Sequence, residues 1–271
     1  MSTVAELKES RELFVNLTLR ELRGKYKRSA LGWTWSLLNP LATMVVFTVV
    51  FAFFLKVRPE PGDPSGIHFF AFFLLSGLLP WTYLSNGMSG SMGALIGNSN
   101  LIKKVYFPRE VLVASNIASW LVTFLLELGV LSVALLVSGH MVLPWLLAAL
   151  FVVVVLSAFV VGLGLLLSVL NVYFRDVQHL IGILLQVWFY ATPIVYPINF
   201  VRDALVGHPA LFTLYKLNPM VRFVGAFRSC LYDLRLPSWQ DLTYITLSSV
   251  VILVIGVVAF SKMEPKLAEE L

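Results

Sequence analysis

Six long stretches of this chain are apolar and nearly free of charged residues. A bilayer core of roughly 30 Å needs about 20 apolar residues in a helix. Each stretch approaches or exceeds that length, and turn-forming residues follow it, such as Pro59 and Pro61 after the first and Gly139 after the third. The pattern therefore predicts six transmembrane helices, at residues 37–55, 67–88, 111–137, 142–170, 177–198 and 242–260.

The N-terminal segment has helical periodicity but too many charges to span. Within residues 7–28, one apolar stripe is formed by Val15, Leu19, Leu22 and Tyr26. Basic residues fall on another stripe, which is typical of an amphipathic helix lying in the membrane interface. The sequence therefore predicts an interfacial helix within residues 1–36, with packing against a soluble partner as the alternative. No short apolar segment with a small-residue cleavage site is found there, so we expect this segment to remain in the mature protein.

A second charged segment, residues 200–237, precedes the last predicted span. Its apolar runs are too short to cross a bilayer and are interrupted by charges such as Arg222, Arg228 and Asp233. Irregular backbone at membrane depth is tolerated only against protein or water. We therefore predict re-entrant helices that enter the outer leaflet and return.

Composition supports an all-α integral membrane protein with a transmembrane domain at residues 37–261. Apolar residues make up 58% of the chain and charged residues only 13%, whereas soluble domains carry roughly a quarter charged residues. The net charge of +5 comes from bases that flank the spans, which argues against a nucleic-acid partner. Because Lys and Arg in short loops favour the cytoplasmic side, both termini, including the tail 262–271, are predicted to be cytoplasmic.

The residues that could support catalysis are scattered. Histidines and carboxylates form no recognisable cluster, Cys230 is the single cysteine, and no Walker A loop occurs. Any ATP drive is therefore expected from a second polypeptide. Glu127, near the middle of the third predicted span, marks either a functional site or a structural carboxylate bonded through Thr123 or Ser132.

Several motifs occur in register with the six spans. They are LGWTWSLLNP at 31–40, NLIKKVYFPRE at 100–110, LNVYFRDV at 170–177, PIVYP at 193–197 and LNP at 217–219. With the basic N-terminal helix, they resemble the permease subunit of ABC transporters that export polysaccharides, O-antigen, capsule or teichoic acid. The resemblance covers nearly the whole chain. One departure is the Val111-Leu112-Val113-Ala114 run, where many relatives carry another proline.

The resemblance implies a homodimer in the bacterial cytoplasmic membrane that works with two separate ATPase subunits. ATP and Mg would then bind in those partner chains, and this chain would carry no cofactor or metal. The substrate would be a polyprenyl-linked glycan or a related cell-envelope polymer. Residues 98–107 would be the coupling helix that docks on the ATPase, with contacts from Asn100, Leu101, Ile102, Lys103, Lys104, Val105, Tyr106, Phe107 and Arg109.

The same resemblance assigns roles to three further groups of residues. Residues 7–28 would be a gate helix near the entry of the lipid diphosphate, whose candidate contacts are Arg20, Arg23, Lys25, Lys27 and Arg28. The alternative is that these bases only hold the helix on anionic lipid. Arg175 and Asp176 would lie at the cytoplasmic end of the fourth and fifth helices, where a local ion pair is favoured over ATPase contact.

Aromatic residues, 13% of the chain, allow two interpretations. Most are typical of lipid-facing positions. The functional alternative is a sugar-stacking conduit wall that includes Phe70, Phe73 and Trp81. Two other functions also stay open: a related permease for a small amphipathic drug or lipid, and a membrane enzyme of glycan assembly.

Overall fold

The computed structural model describes residues 4–25, 32–56, 59–105 and 107–267. Within these ranges the secondary structure is helical, and no strand occurs. The α-helices are α1 Val4–Lys25, α2 Trp35–Phe47, α3 Phe70–Ala94, α4 Ser99–Lys104, α5 Glu110–Val137, α6 Leu143–Tyr173, α7 Val177–Tyr190, α8 Ile198–Ala204, α9 Pro209–Lys216, α10 Pro219–Arg228 and α11 Trp239–Met263. The predicted all-α fold is confirmed for this part of the chain.

Four helical segments in the described ranges are long and apolar enough to cross a bilayer. They are Leu37–Phe54, Glu110–Val137, Leu143–Tyr173 and Trp239–Met263. The first combines α2 with a π-helical continuation, Thr48–Phe54. Helix α3 has 25 residues but contains Pro80 and several serines and glycines, whereas α7 has only 14 residues. The assignment of α3 and α7 as two further spans stays a prediction.

Helix α3 lies at the centre of the packed body. It contacts α5, α6 and α10, and most of its side chains are buried. Tyr83 of α3 stacks on Phe124 of α5 with ring centroids 5.1 Å apart, and Phe124 meets Phe227 of α10 edge-on at 5.8 Å. These rings join the segment before the last span to the centre of the molecule.

The closest helix crossing joins α6 to α11. A Cβ atom added at Gly256 would lie 2.1 Å from the carbonyl oxygen of Gly162, and one added at Gly162 would lie 2.6 Å from the backbone of Ile252. Small residues allow membrane helices to approach to backbone contact in this way. The two glycines therefore set the spacing of these two helices.

Helix α1 packs along α5. Leu17 and Leu22 are buried at this contact, whereas Val15 is 46% exposed and Leu19 41% exposed. The predicted apolar stripe is therefore only partly available to a membrane, because Leu22 packs against the body of the same chain while Val15 and Leu19 stay exposed. Tyr26 lies outside the described residues.

Three short helices, α8, α9 and α10, precede α11. They have seven, eight and ten residues, so each is too short to cross a bilayer. The Asn218 side chain caps α10 by accepting from the Met220 amide, and it also accepts from Trp188 Nε1 of α7 at 2.8 Å. One amide thus fixes the start of α10 against α7. The re-entrant position of these helices in the membrane stays a prediction.

Candidate functional site

The predicted coupling segment contains one short helix. A 3-10 turn, Ile96–Asn98, leads into α4, and the backbone becomes extended at Val105. Ile102 faces the chain's own core and is 6% exposed, whereas Val105 is 52% exposed. The exposed side of the segment consists of Asn100, Lys103, Lys104 and Val105.

The rest of this segment is tied to the body. Leu101 and Phe107 are partly buried against the core. Arg109 Nη1 donates to the backbone oxygen of Glu264, just after α11. The predicted contact residue Tyr106 lies outside the described residues. The segment therefore has an inward apolar side and an outward side that is mainly basic.

The basic residues of α1 do not share one environment. Arg20 Nη2 donates to Asn98 Oδ1 at 2.7 Å, and it is also 2.9 Å from the carboxylate of Glu21. Arg23 is exposed. Lys27 and Arg28 lie outside the described residues.

Lys25 points into the protein. Its Nζ donates to the Ser119 carbonyl at 3.0 Å and to Thr123 Oγ1 at 3.4 Å, and it lies 3.3 Å from the ring centroid of Trp120. Burial lowers the pKa of Lys25 to about 7, although the charges of Glu127 and Glu21 oppose this decrease. Arg20, Arg23 and Lys25 are the described cations predicted to meet a diphosphate. Among them, Lys25 forms hydrogen bonds with α5.

A polar cavity of about 410 Å³ lies between α1, the end of α3 and the start of α5. Arg20, Glu21, Asn98 and Asn116 contribute its polar lining. Asn116 Oδ1 is buried without a hydrogen-bond partner among the described residues. Gly93 and Gly97 open onto this cavity, with no atom within 4 Å of the position of an added Cβ. We call this region the α1–α4 end.

Glu127 is only 7% exposed and borders a second cavity, of about 240 Å³, between α2, α3 and α5. The other lining residues of that cavity are apolar. The hydroxyls of Thr123 and Ser132 donate to the backbone oxygens of Ser119 and Leu128, so they act within their own helix. The role of Glu127 stays a hypothesis. Lys25 is the cation whose charge acts on the Glu127 carboxylate.

The predicted conduit aromatics Phe70, Phe73 and Trp81 are all buried within the chain, each 5% or 6% exposed. Trp81 meets Trp188 edge-on at 5.8 Å and Phe189 at 5.7 Å. Their rings therefore serve as internal packing contacts in this conformation.

A groove of about 370 Å³ runs between α3 and α7 beside Trp81. Phe189 and Tyr190 supply its other rings, and its polar lining comes from Ser85, Ser89 and Gln186. Sequence reasoning did not select these residues, because they are dispersed over two helices. The sequence signal for this groove is the spacing of Ser85 and Ser89 on the aromatic-rich helix α3.

Arg175 and Asp176 lie at the turn between α6 and α7. Both side chains are exposed, and the ion pairs found in the described residues do not include one between them. The expected local ion pair is therefore not formed in this structure, since neither side chain is held by surrounding packing.

A second polar cluster lies beside the start of α3. Arg228 Nη2 donates to the Ile194 carbonyl at 2.7 Å, Nη1 donates to the Pro193 carbonyl, and the guanidinium lies 3.7 Å from the Phe73 ring centroid. This cluster borders a cavity of about 400 Å³ that Tyr232 also lines. About 21 residues of α3 separate Phe73 from Ala94, so the cluster and the α1–α4 end lie about 30 Å apart.

The sequence models of known families identify the family to which this chain belongs. The sequence model of a family described as ABC-2 type transporter matches residues 12–232, which run from α1 to the short π-helix Ser229–Asp233 that follows α10. The chain belongs to the ABC-2 type transporter family. The matched residues of this ABC-2 transporter chain include those that form the α1–α4 end, the α3–α7 groove and the Arg228 cluster.

Relatives of this ABC-2 chain match it over more than nine tenths of its length. The O-antigen export system permease protein RfbA of Myxococcus xanthus is 34% identical, over 99% of this chain and 98% of the relative. RfbA of Klebsiella pneumoniae is 27% identical, over 95% and 94%. The polysialic acid transport protein KpsM of Escherichia coli is 24% identical, over 92% of each.

Proposed function

We propose that this chain is the membrane subunit of an ATP-driven exporter that moves a polyprenyl-linked polysaccharide, or a related cell-envelope polymer, outward across the bacterial cytoplasmic membrane. The observation that carries the proposal is the end-to-end similarity to a permease named for O-antigen export. The sequence contains no Walker A loop, so ATP and Mg would bind in separate ATPase subunits. In this proposal the chain has six spans and works as a homodimer with both termini in the cytoplasm.

The outward side of residues 98–107 is the proposed docking surface for the ATPase. Lys103 and Lys104 are exposed beside Val105, so an acidic groove with an apolar floor would complement them. Ile102 would hold α4 on the permease, because it is buried in the chain's own core. Arg109 would connect the same segment to the end of α11.

The exposed cations of α1 are the proposed first contact for the substrate headgroup. Arg23 is exposed, and Arg20 lies at the rim of the polar cavity of the α1–α4 end. Guanidinium groups bind phosphate oxygens well because of their planar fork of donors. Lys27 and Arg28 continue this basic stretch in the sequence.

The α3–α7 groove is the proposed wall of the polymer path. Its rings offer flat apolar surfaces, while Ser85, Ser89 and Gln186 offer hydrogen bonds to sugar hydroxyls. In the described part of the chain, Leu185 is the one fully buried side chain of α7, so most of the surface of this helix is free to face a second copy or the path. A two-fold arrangement would place two such walls opposite each other.

The decisive experiment is depletion of this chain in its native cell, followed by measurement of lipid-linked glycan on each side of the inner membrane. We expect full-length polymer to accumulate on the cytoplasmic leaflet. Shortened or missing lipid-linked polymer without accumulation would instead assign the chain to glycan synthesis. Normal polymer distribution with altered efflux of small amphipathic compounds would support a drug or lipid exporter.

A further inference from the structure

One side-chain hydrogen bond joins α1 directly to the start of α4. Arg20 and Asn98 are 78 positions apart in the sequence, and Nη2 and Oδ1 lie 2.7 Å apart. The Asn98 side chain also donates from Nδ2 to the Ala94 carbonyl at 2.8 Å, at the end of α3. A single amide therefore contacts the interfacial helix, the central helix and the beginning of α4.

The surroundings make this bond a bridge across open space. The polar cavity of about 410 Å³ lies beside it, and Gly93 and Gly97 on the α3 side leave room that no side chain fills. Tight packing transmits motion through many contacts, but here a charge-assisted hydrogen bond connects two elements across a gap. Loss of this hydrogen bond would therefore weaken the mechanical connection between α1 and α4.

A second contact holds α1 on a different element. Five residues after Arg20, Lys25 Nζ donates to the Ser119 carbonyl of α5. Five residues of helix correspond to about 7.5 Å. Helix α1 is thus held on α5 by Lys25 together with the buried Leu17 and Leu22, and on the start of α4 by Arg20, so movement of α4 relative to α5 would pull on α1 at Arg20.

We propose that the Arg20–Asn98 hydrogen bond transmits the displacement of α4 to α1 during the transport cycle. Arg20 and Asn98 are then positioning residues that link the state of the ATPase to the position of the interfacial helix. This inference rests on the proposed function, in which α4 docks on the ATPase. It gives Arg20 a role separate from binding the substrate phosphate.

Variants of both partners test the bond. Asn98→Ala and Arg20→Ala remove it from opposite sides, and the Asn98 side chain does not cap α4, so the helix start is expected to survive. Asn98→Asp keeps an acceptor for Arg20 and should preserve the link. Arg11→Ala is the matched control, since Arg11 is an exposed arginine on the same helix for which the described residues provide no hydrogen bond or ion pair, and it is not among the proposed substrate contacts.

The primary measurement follows α1 itself in the purified complex of permease and ATPase subunits. In a Cys230→Ser background, spin labels are attached at cysteines replacing the exposed residues Asn16 on α1 and Ser138 beyond α5. We expect a non-hydrolysable ATP analogue to change the distance distribution in the parent and in Arg11→Ala and Asn98→Asp. Asn98→Ala and Arg20→Ala should reduce that change at least twofold.

Polymer exported per ATP hydrolysed is measured on the same variants. Loss of one charge-assisted hydrogen bond should lower this ratio about fivefold, which corresponds to about 1 kcal/mol. A nucleotide response of Asn98→Ala equal to that of the parent, or an absent response in the parent, would overturn the link. If α1 responds in an Asn98-dependent way but no polymer moves, the link stands and the proposed substrate is wrong.

Discussion

Replacement of Gly256 by alanine should destabilise the whole membrane body. The added Cβ would lie 2.1 Å from the Gly162 carbonyl oxygen and 2.8 Å from its carbonyl carbon. Ordinary contacts at such a position begin at about 3.4 Å, so α11 must move away from α6 by roughly 1 Å. The obstructing atoms are backbone, so no side chain can rotate to relieve the contact.

The expected cost is that of overpacking, about 1–3 kcal/mol. For a protein of this size class, 1 kcal/mol shifts the melting temperature by roughly 2–4 °C. We therefore expect Gly256→Ala to lower the melting temperature of the detergent-solubilised permease by about 3–10 °C. Separation of α6 from α11 also disrupts the most extensive helix pair in the described residues, which favours the upper part of that range.

The matched control is Gly129→Ala on α5, where no atom lies within 4 Å of the added Cβ. Alanine favours helix over glycine, so this variant should melt at the same temperature as the parent or slightly higher. Thermal unfolding followed by tryptophan fluorescence measures both. Equal melting temperatures for Gly256→Ala and the parent would refute the close α6–α11 crossing.

Three further predictions concern the sites. Val105→Asp should weaken co-purification of the ATPase at least tenfold, because it places a charge on the proposed docking surface; Val206→Asp, at a still more exposed valine outside that surface, should not. Burial lowers the pKa of Lys25 from 10.5 to about 7, so α1 with Lys25 inserted binds fewer protons than released α1 between these pH values. A spin label at Leu22 should accordingly become less mobile as pH rises from 7 to 10.5, and Lys25→Met should abolish this dependence. Gln186→Ala should slow polymer export severalfold with unchanged ATPase co-purification; unchanged export would remove the α3–α7 groove from the proposed path.

Hydropathy alone was sufficient to predict the helices that are long and apolar enough to cross a bilayer. Residues 143–173 and 239–263 satisfy length and apolarity without any knowledge of their neighbours. Helix α3 is different, because its environment is mostly protein and it can carry Pro80 and several serines. Hydropathy measures how well a helix surface suits lipid. It is therefore a weaker guide to a helix such as α3, whose surface is covered mainly by other helices.

Side-chain direction at the candidate sites could not be read from residue type. Ile102 and Val105 are both apolar and three positions apart, yet the first packs inward and the second faces outward because α4 ends between them. Lys25 belongs to a basic stretch but turns towards Ser119, since α1 lies against α5. The sequence identifies Arg228 only as a charge that interrupts an apolar segment, because its carbonyl partners lie in a loop 34 and 35 positions earlier.

The two ends of α3 are held by different numbers of contacts. At one end, the Arg228 guanidinium lies against Phe73 and donates to two carbonyls of the 193–194 loop, so three elements share one rigid joint. At the other end, Arg20 and Asn98 meet beside unfilled space. A force applied at α4 should therefore deform the compliant end first. We expect the Arg228 joint to act as a fixed support, so that early movement in the cycle stays within the half of the subunit that contains α1.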